Sequence, residues 1–264
     1  MSKSIDYSLL DIPEIISMMF HPQRVWSPVP DYGQDLMVEV EPDVPISCRF
    51  YGYDKSMPTV LFFHGNGEIA CQFDPVSEYY RRSGANLFVA DFRGYGLSGG
   101  VPSFQNMIDD CSKIYKYCVN MLATMGFDNQ IIVKGRSLGC YSAVEVAANF
   151  QDDLRGLIIE SGSAAIERML IRRGFIVDEP RIRDLITLHV WKINSIKIPL
   201  LTICGEVDEI IPVESILELH NSIGAEHKEF ELIPMAGHND LWLRGRDQYF
   251  DAVKKFIDNT NPHM

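Results

Sequence analysis

The chain has 264 residues, of which 46% are hydrophobic and 23% charged. That suits a large folded α/β domain and excludes disordered and fibrous classes. A formal charge of −12 and a pI near 5.0 would repel polyphosphate, and no stretch combines Lys and Arg with interleaved aromatics, so nucleic acid is not an expected partner.

No apolar run approaches the roughly 18–20 residues needed to span a membrane, and no secretory leader pattern is visible. Six scattered cysteines (Cys48, Cys71, Cys111, Cys118, Cys140, Cys204) form no C-x-x-C or other metal-like spacing. The expectation is a cytoplasmic protein with free thiols, no disulfide and no metal site.

In chain order, residues 9–20 are apolar but short and interrupted by Asp11, Pro13 and Glu14, so they should pack on their own domain rather than on a membrane. Leu36–Glu41 and Ile46–Tyr53 read as an antiparallel strand pair at a sheet edge, separated by the turn-prone Pro42-Asp43-Val44-Pro45. Then come short, continuously apolar runs at 59–63, 87–90, 131–133, 157–159 and 200–204, the pattern of strands buried on both faces of a parallel sheet. Phe230–Ile233 is a further strand.

Helical patterns alternate with these runs. Asp74-Pro75 caps one running toward Gly84. Ser103 caps a second, striped by Phe104, Met107, Ile108, Cys111, Ile114, Tyr115, Cys118 and Leu122. Others contain Tyr141 to Ala147, begin near Pro212, or carry Tyr249, Phe250, Val253, Phe256 and Ile257 at the C-terminal end. About forty residues between Glu160 and Pro199 exceed a plain connection and predict a cap of two or three short helices. With no repeat or linker, 1–264 reads as one domain, with an N-terminal extension over about 1–33 and the cap at about 162–197. Right-handed crossovers would wind the sheet with helices on both faces and put its ligand site at the C-terminal strand ends.

Four candidate elements fall at those ends. Gly135-Arg136-Ser137-Leu138-Gly139 is a G-x-S-x-G turn between strand and helix, in which small end residues let the two backbones approach and expose the serine hydroxyl. Chance yields the bare pattern in about one such chain in ten, so its weight comes from the other three. His64-Gly65-Asn66-Gly67 follows the 59–63 strand and offers backbone amides to an oxyanion. Asp208 ends Gly205-Glu206-Val207-Asp208, and His238 ends Met235-Ala236-Gly237-His238. The chain order Ser, Asp, His is that of one architecture.

On these residues the chain from about Leu36 to its C-terminal helix resembles an α/β-hydrolase of the small intracellular serine hydrolase branch, esterase- or peptidase-like. Asp91-Phe92-Arg93-Gly94-Tyr95-Gly96-Leu97-Ser98-Gly99, after the fourth strand, is similar to the corresponding loop of small serine hydrolases. The resemblance implies a mostly parallel sheet of about eight strands, helices on both faces and a small helical cap. It implies Ser137 as nucleophile, His238 as general base, Asp208 as its orienting acid, the amides of Asn66 and Leu138 as oxyanion hole, and no cofactor.

The expected reaction is hydrolysis of a carboxylic ester or thioester with a small or medium acyl group. The alternatives are an amidase or aminopeptidase, which needs a group to hold a substrate amine, and a non-catalytic binding protein on the same fold. The partner is a small-molecule acyl substrate, without stable membrane insertion; a homodimer is left open. The surrounding groups are assigned bland roles. Asp91 and Arg93 should pair or bond backbone, His64 should brace the oxyanion turn, and Cys140 should point into the core. Glu68, Arg136, Glu160 and Glu209 lie beside the site without a place in the triad. His21, His189, His220, His227 and His263 are expected at the surface or packed, and the pairs Arg81-Arg82 and Arg172-Arg173 on solvated faces. Of the cap arginines Arg168, Arg172, Arg173, Arg181 and Arg183, solvent exposure is favoured over contact with an anionic substrate.

Overall fold

The continuously apolar runs become the buried strands of one eight-stranded sheet. A computed structural model of the protein describes residues 5–260. Within it the strands are β1 (Gln34–Glu41), β2 (Val44–Tyr51), β3 (Thr59–Phe63), β4 (Asn86–Ala90), β5 (Ile131–Arg136), β6 (Leu154–Glu160), β7 (Leu200–Gly205) and β8 (Lys228–Ile233). Their order is β1-β2-β4-β3-β5-β6-β7-β8. β1 and β2 are antiparallel, as are β2 and β4; every later pairing is parallel. The opening turn is tighter than the sequence suggested. Asp43 takes the left-handed region at φ 63°, which its short polar side chain tolerates, so β2 starts at Val44 and takes in Pro45.

Helices cover both faces because alternate residues of buried strands point opposite ways. Leu61 and Phe63 of β3 join a core with α3 (Phe104–Met125), α4 (Cys140–Phe150) and α6 (Pro180–Ser195). Val60 and Phe62 join a second core with α2 (Asp74–Arg82) and α8 (Leu241–Asn259). Each fully buried side chain of this kind contributes about 1.5–3 kcal/mol of transfer free energy. The long helix α3 is capped by Ser103, whose Oγ accepts from the Asn106 amide at 3.2 Å, and ends at Gly126 with φ 73°.

The N-terminal segment is built into the domain. A short turn at Tyr7–Leu10 and the helix α1 (Pro13–Met19) bury Tyr7, Leu10, Ile15 and Met19. Asp11, an interruption in the sequence pattern, accepts from the backbone amides of Phe104 and Gln105, so it serves the exposed donors at the start of α3. The forty-residue interval holds two helices, α5 (Ile166–Arg172) and α6, with α7 (Val213–Ser222) beyond β7. Among the described residues no helix is long and apolar enough to cross a membrane.

Candidate active site

β5 delivers Ser137 in a turn too sharp for ordinary backbone: Ser137 has φ 50°, a left-handed conformation costing on the order of 1–3 kcal/mol. The flanking glycines explain how the turn closes. A Cβ on Gly135 would sit 2.5 Å from the Gly139 carbonyl oxygen, and one on Gly139 would collide with the Phe63 carbonyl of β3. With both lacking side chains, β5, α4 and the end of β3 meet backbone to backbone.

The three residues predicted from separate strand ends converge. His238 Nε2 lies 3.0 Å from Ser137 Oγ, and His238 Nδ1 lies 2.8 and 3.1 Å from the two oxygens of Asp208. In the neutral imidazole both contacts are met when Nδ1–H donates to the carboxylate and Nε2 accepts from the serine hydroxyl. Asp208 is held by the amides of Ile210 and Ile211, at 3.0 and 2.8 Å to Oδ1. Asp208 and His238 are buried while Ser137 is partly open, so the relay is protected and its reacting end is reachable.

The turn after β3 is fixed from beneath. His64 is fully buried; its Nδ1 bonds the Gly65 carbonyl at 2.8 Å and its Nε2 faces Asp91 Oδ1 at 3.0 Å. His64 therefore braces, as expected, and has no contact with Ser137. Asp91 also accepts from the Ala70 amide and Ser47 Oγ. It does not pair with Arg93, which reaches Asp110 and Glu41 instead. Those carboxylates come from other elements, which loop sequence alone could not supply. Asn66 is anchored through its side chain: Oδ1 accepts from the His21 amide and Tyr95 hydroxyl, and Nδ2 meets His21 Nδ1. Asn66 and Leu138 line the same cavity as Ser137, and Leu138, at a helix start, has no obligatory intrahelical acceptor.

Arg136 does more than neighbour Ser137. Its guanidinium donates to the His238 carbonyl and Asn239 Oδ1, each at 2.9 Å, and pairs with Glu68 at 2.8 Å and Glu160 at 3.1 Å. Glu68 in turn accepts from the Gly65 amide at 2.6 Å. One buried cation thus ties the turn after β3 to the loop carrying His238. Behind it, fully buried Lys134 contacts Glu160, Tyr80 and Tyr249 at 2.6, 2.6 and 2.7 Å. Burial pushes the Glu160 carboxyl up, but Lys134 and Arg136 outweigh it and hold the group below its ordinary value. For Lys134 burial acts downward, and Glu160 outweighs it to hold the ammonium above its ordinary value. Cys140 points into the core, its thiol donating to the Gly135 carbonyl at 3.2 Å, and burial raises its pKa.

A cavity of about 320 Å³ opens onto Ser137, Leu138, Asn66 and His238. Its walls come from the N-terminal extension, which the sequence reading did not place here, and from the cap. Met18 and Met19 come from the N-terminal extension, and Arg168, Met169, Arg172 and Arg173 from α5 and its end. Arg181 and Arg183 do not line it. The basic pair at 172–173 is exposed, as the sequence suggested, and also lines this cavity. His189 is packed, between the Tyr7 hydroxyl and the Ala164 carbonyl, and His220 bonds Thr202. His227 is exposed, and His263 lies outside the described residues. His21, assigned no role from sequence, sits against Asn66.

A family model described as "Serine aminopeptidase, S33" matches residues 54–180. Protein bem46 of Schizosaccharomyces pombe is 31% identical over 209 residues, spanning 77% of this chain and 68% of that protein. The α/β hydrolase domain-containing protein WAV2 of Arabidopsis thaliana is 28% identical over 222 residues, 78% of this chain and 71% of that protein. A Saccharomyces cerevisiae relative named as an uncharacterized membrane protein, YNL320W, is 26% identical over 213 residues, 77% and 72% of the two chains. Among solved structures, the Pyrococcus furiosus esterase Pf2001 superposes with a TM-score of 0.72 at 21% identity, covering 91% of this chain and 97% of that one.

Proposed function

The chain belongs to the α/β-hydrolase superfamily, and from that membership we propose that it is a serine hydrolase cleaving a carboxylic ester or thioester of a small or medium acyl substrate. The observation that carries the reading is the unbroken relay from Ser137 Oγ through His238 to Asp208, opening onto a cavity of about 320 Å³.

In this mechanism His238 Nε2 takes the Ser137 proton as Oγ attacks the acyl carbon. Asp208 holds the Nδ1–H tautomer and stabilises the imidazolium. The amides of Asn66 and Leu138 receive the oxyanion, a contribution of about 3 kcal/mol per donor in comparable sites. His238 then protonates the leaving group, and water, deprotonated by the same nitrogen, releases the acid from the acyl-enzyme. The N-terminal segment and α5 flank the cleft and act as its cap.

The cavity lining favours an ester over an aminopeptidase substrate. It includes no Asp or Glu; the nearby Glu68 and Glu160 are engaged by Arg136 and Lys134, and Glu209, exposed beside Gly237, lies outside the lining. A reducing compartment such as the cytoplasm suits the six buried free cysteines.

The test is labelling by a fluorophosphonate probe at pH near 7.5. Strong labelling of the native protein, lost in Ser137→Ala and His238→Ala, is the expected result. A folded protein that resists the probe and hydrolyses none of a panel of acetyl, butyryl and thioester substrates would overturn the reading in favour of a binding protein.

A further inference from the structure

The protein carries 36 acidic residues against 24 Lys and Arg, yet the cavity at Ser137 is lined by four arginines and no carboxylate. Two of the four are neutralised: Arg136 by Glu68 and Glu160, and Arg168 by Glu218. The other two are not. Arg172 reaches only the Ile210 carbonyl and Ser215 Oγ, and Arg173 only the Met169 carbonyl, at 3.4 Å each. Among the described residues neither has a carboxylate within salt-bridge distance. Elsewhere most arginines pair with a carboxylate, as at Arg49, Arg81, Arg82 and Arg93, while Arg24 and Arg155 are met by carbonyl and amide oxygens. Two unneutralised cations thus face the same space as the nucleophile, on an otherwise acidic protein.

Resting on the serine-hydrolase reading above, we propose that the substrate carries an anionic group, a carboxylate or a phosphate, which Arg172 and Arg173 bind while Ser137 attacks the ester. The remaining lining includes an apolar set, Met18, Met19, Leu138, Met169, Ile210 and Ile211, that suits the acyl or alcohol carbons. A guanidinium presents a planar fork that matches both kinds of oxyanion, and an apolar cleft with a few placed polar groups is the usual form of a small-ligand site. The charge serves a second purpose, because the repulsion an anion meets from the net −12 surface is locally reversed at the mouth of the site.

The experiment compares kcat/KM for 4-acetoxybenzoate and 4-acetoxyphenyl phosphate with that for neutral 4-acetoxybenzamide, in the native protein and in Arg172→Gln/Arg173→Gln. A second arm places the anion on the acyl side, comparing the 4-methylumbelliferyl monoester of octanedioic acid with the octanoate ester. The anion-to-neutral ratio should favour the anion in one arm and fall by roughly tenfold to a hundredfold in the double variant, as expected for loss of charge-assisted hydrogen bonds. The exposed Arg183 of α6, outside the cavity, is the control, and Arg183→Gln should leave the ratio unchanged. Carboxylate and phosphate substrates compared within the first arm tell which anion is meant.

A ratio that moves less than twofold in both arms while neutral esters turn over would overturn the proposal and leave the hydrolase reading standing. If no ester turns over, calorimetric binding of 4-hydroxybenzoate and phenyl phosphate to Ser137→Ala, against 4-hydroxybenzamide, still decides it. Anion-selective binding lost in the added Arg172→Gln/Arg173→Gln changes supports the anion site, and equal or absent binding refutes it.

Discussion

Replacing Glu160 with Gln tests the charge cluster behind the active site most directly. Glu160 is the shared carboxylate of two buried cations, with Oε2 at 2.6 Å from Lys134 and Oε1 at 3.1 Å from Arg136, and it also accepts from the Tyr249 hydroxyl at 2.7 Å. Lys134, Arg136, Glu160 and Glu68 sum to zero charge. Glu160→Gln leaves this buried cluster with one excess positive charge, and Lys134 must either keep it or shed its proton. Removing one partner of a buried pair costs about 3–5 kcal/mol, which lowers Tm by about 6–20 °C for a chain of this size.

Urea unfolding at pH 7 measures the loss, and pH tests its origin. The native Glu160 carboxyl is held below its ordinary 4.5, so its stabilisation is fully present above about pH 4.5 and is lost as pH falls through the depressed folded value. Lys134 is held above its ordinary 10.5, so its share is present below that pH and is lost as pH rises through the folded value. The gap between native and variant should therefore be flat between these limits and close at acid pH. Adding Lys134→Met should recover stability, making the double variant less destabilised than the sum of the singles by about 2 kcal/mol. A Glu160→Gln protein within about 1 kcal/mol of native, or singles that simply add, would refute the reasoning.

Three other outcomes follow from the same structure. Burial holds the His189 imidazole down at about 4 against an ordinary 6.5, so its contribution is present above pH 6.5 and is lost as pH falls toward 4; between pH 7 and 4.5 the native protein should lose about 2–3 kcal/mol more than His189→Gln in urea titrations. Gly139→Ala forces a methyl group against the Phe63 carbonyl, and should cost about 3 kcal/mol or more with loss of probe labelling even where circular dichroism shows a folded chain. Asn66→Ala keeps the backbone amide but cuts its anchors to His21 and Tyr95, and kcat should fall by about tenfold with KM little changed, since small displacements of a catalytic group are costly; an unaltered kcat would show that the turn is positioned by His64 and Glu68 alone.

The sequence determined much of this molecule because its signals are local. Buried parallel strands must be continuously apolar, and the runs at 59–63, 131–133 and 200–204 fall inside β3, β5 and β7. A helix must be striped and capped, and Ser103 and its stripe mark α3. A nucleophile on a sharp strand-to-helix turn needs small flanking residues, and Gly135 and Gly139 provide them. Chain order then indicated Asp208 and His238, whose meeting with Ser137 the tertiary structure supplied.

What the tertiary structure alone decided are the long-range partnerships. Nothing near Arg93 in the chain points to Asp110 or Glu41, nothing in 1–33 indicates that Met18 and Met19 come to the cleft or His21 to Asn66, and nothing beside Arg136 shows that it bonds the loop carrying His238, 102 residues away. A charged side chain finds its partner by the packing of separate elements, and sequence periodicity carries no record of that distance. The same reason explains the arginines. Five in the cap are alike in sequence, and only the turn of α5 against the strand ends brings Arg168, Arg172 and Arg173 to the cavity at Ser137 while Arg181 and Arg183 remain outside it.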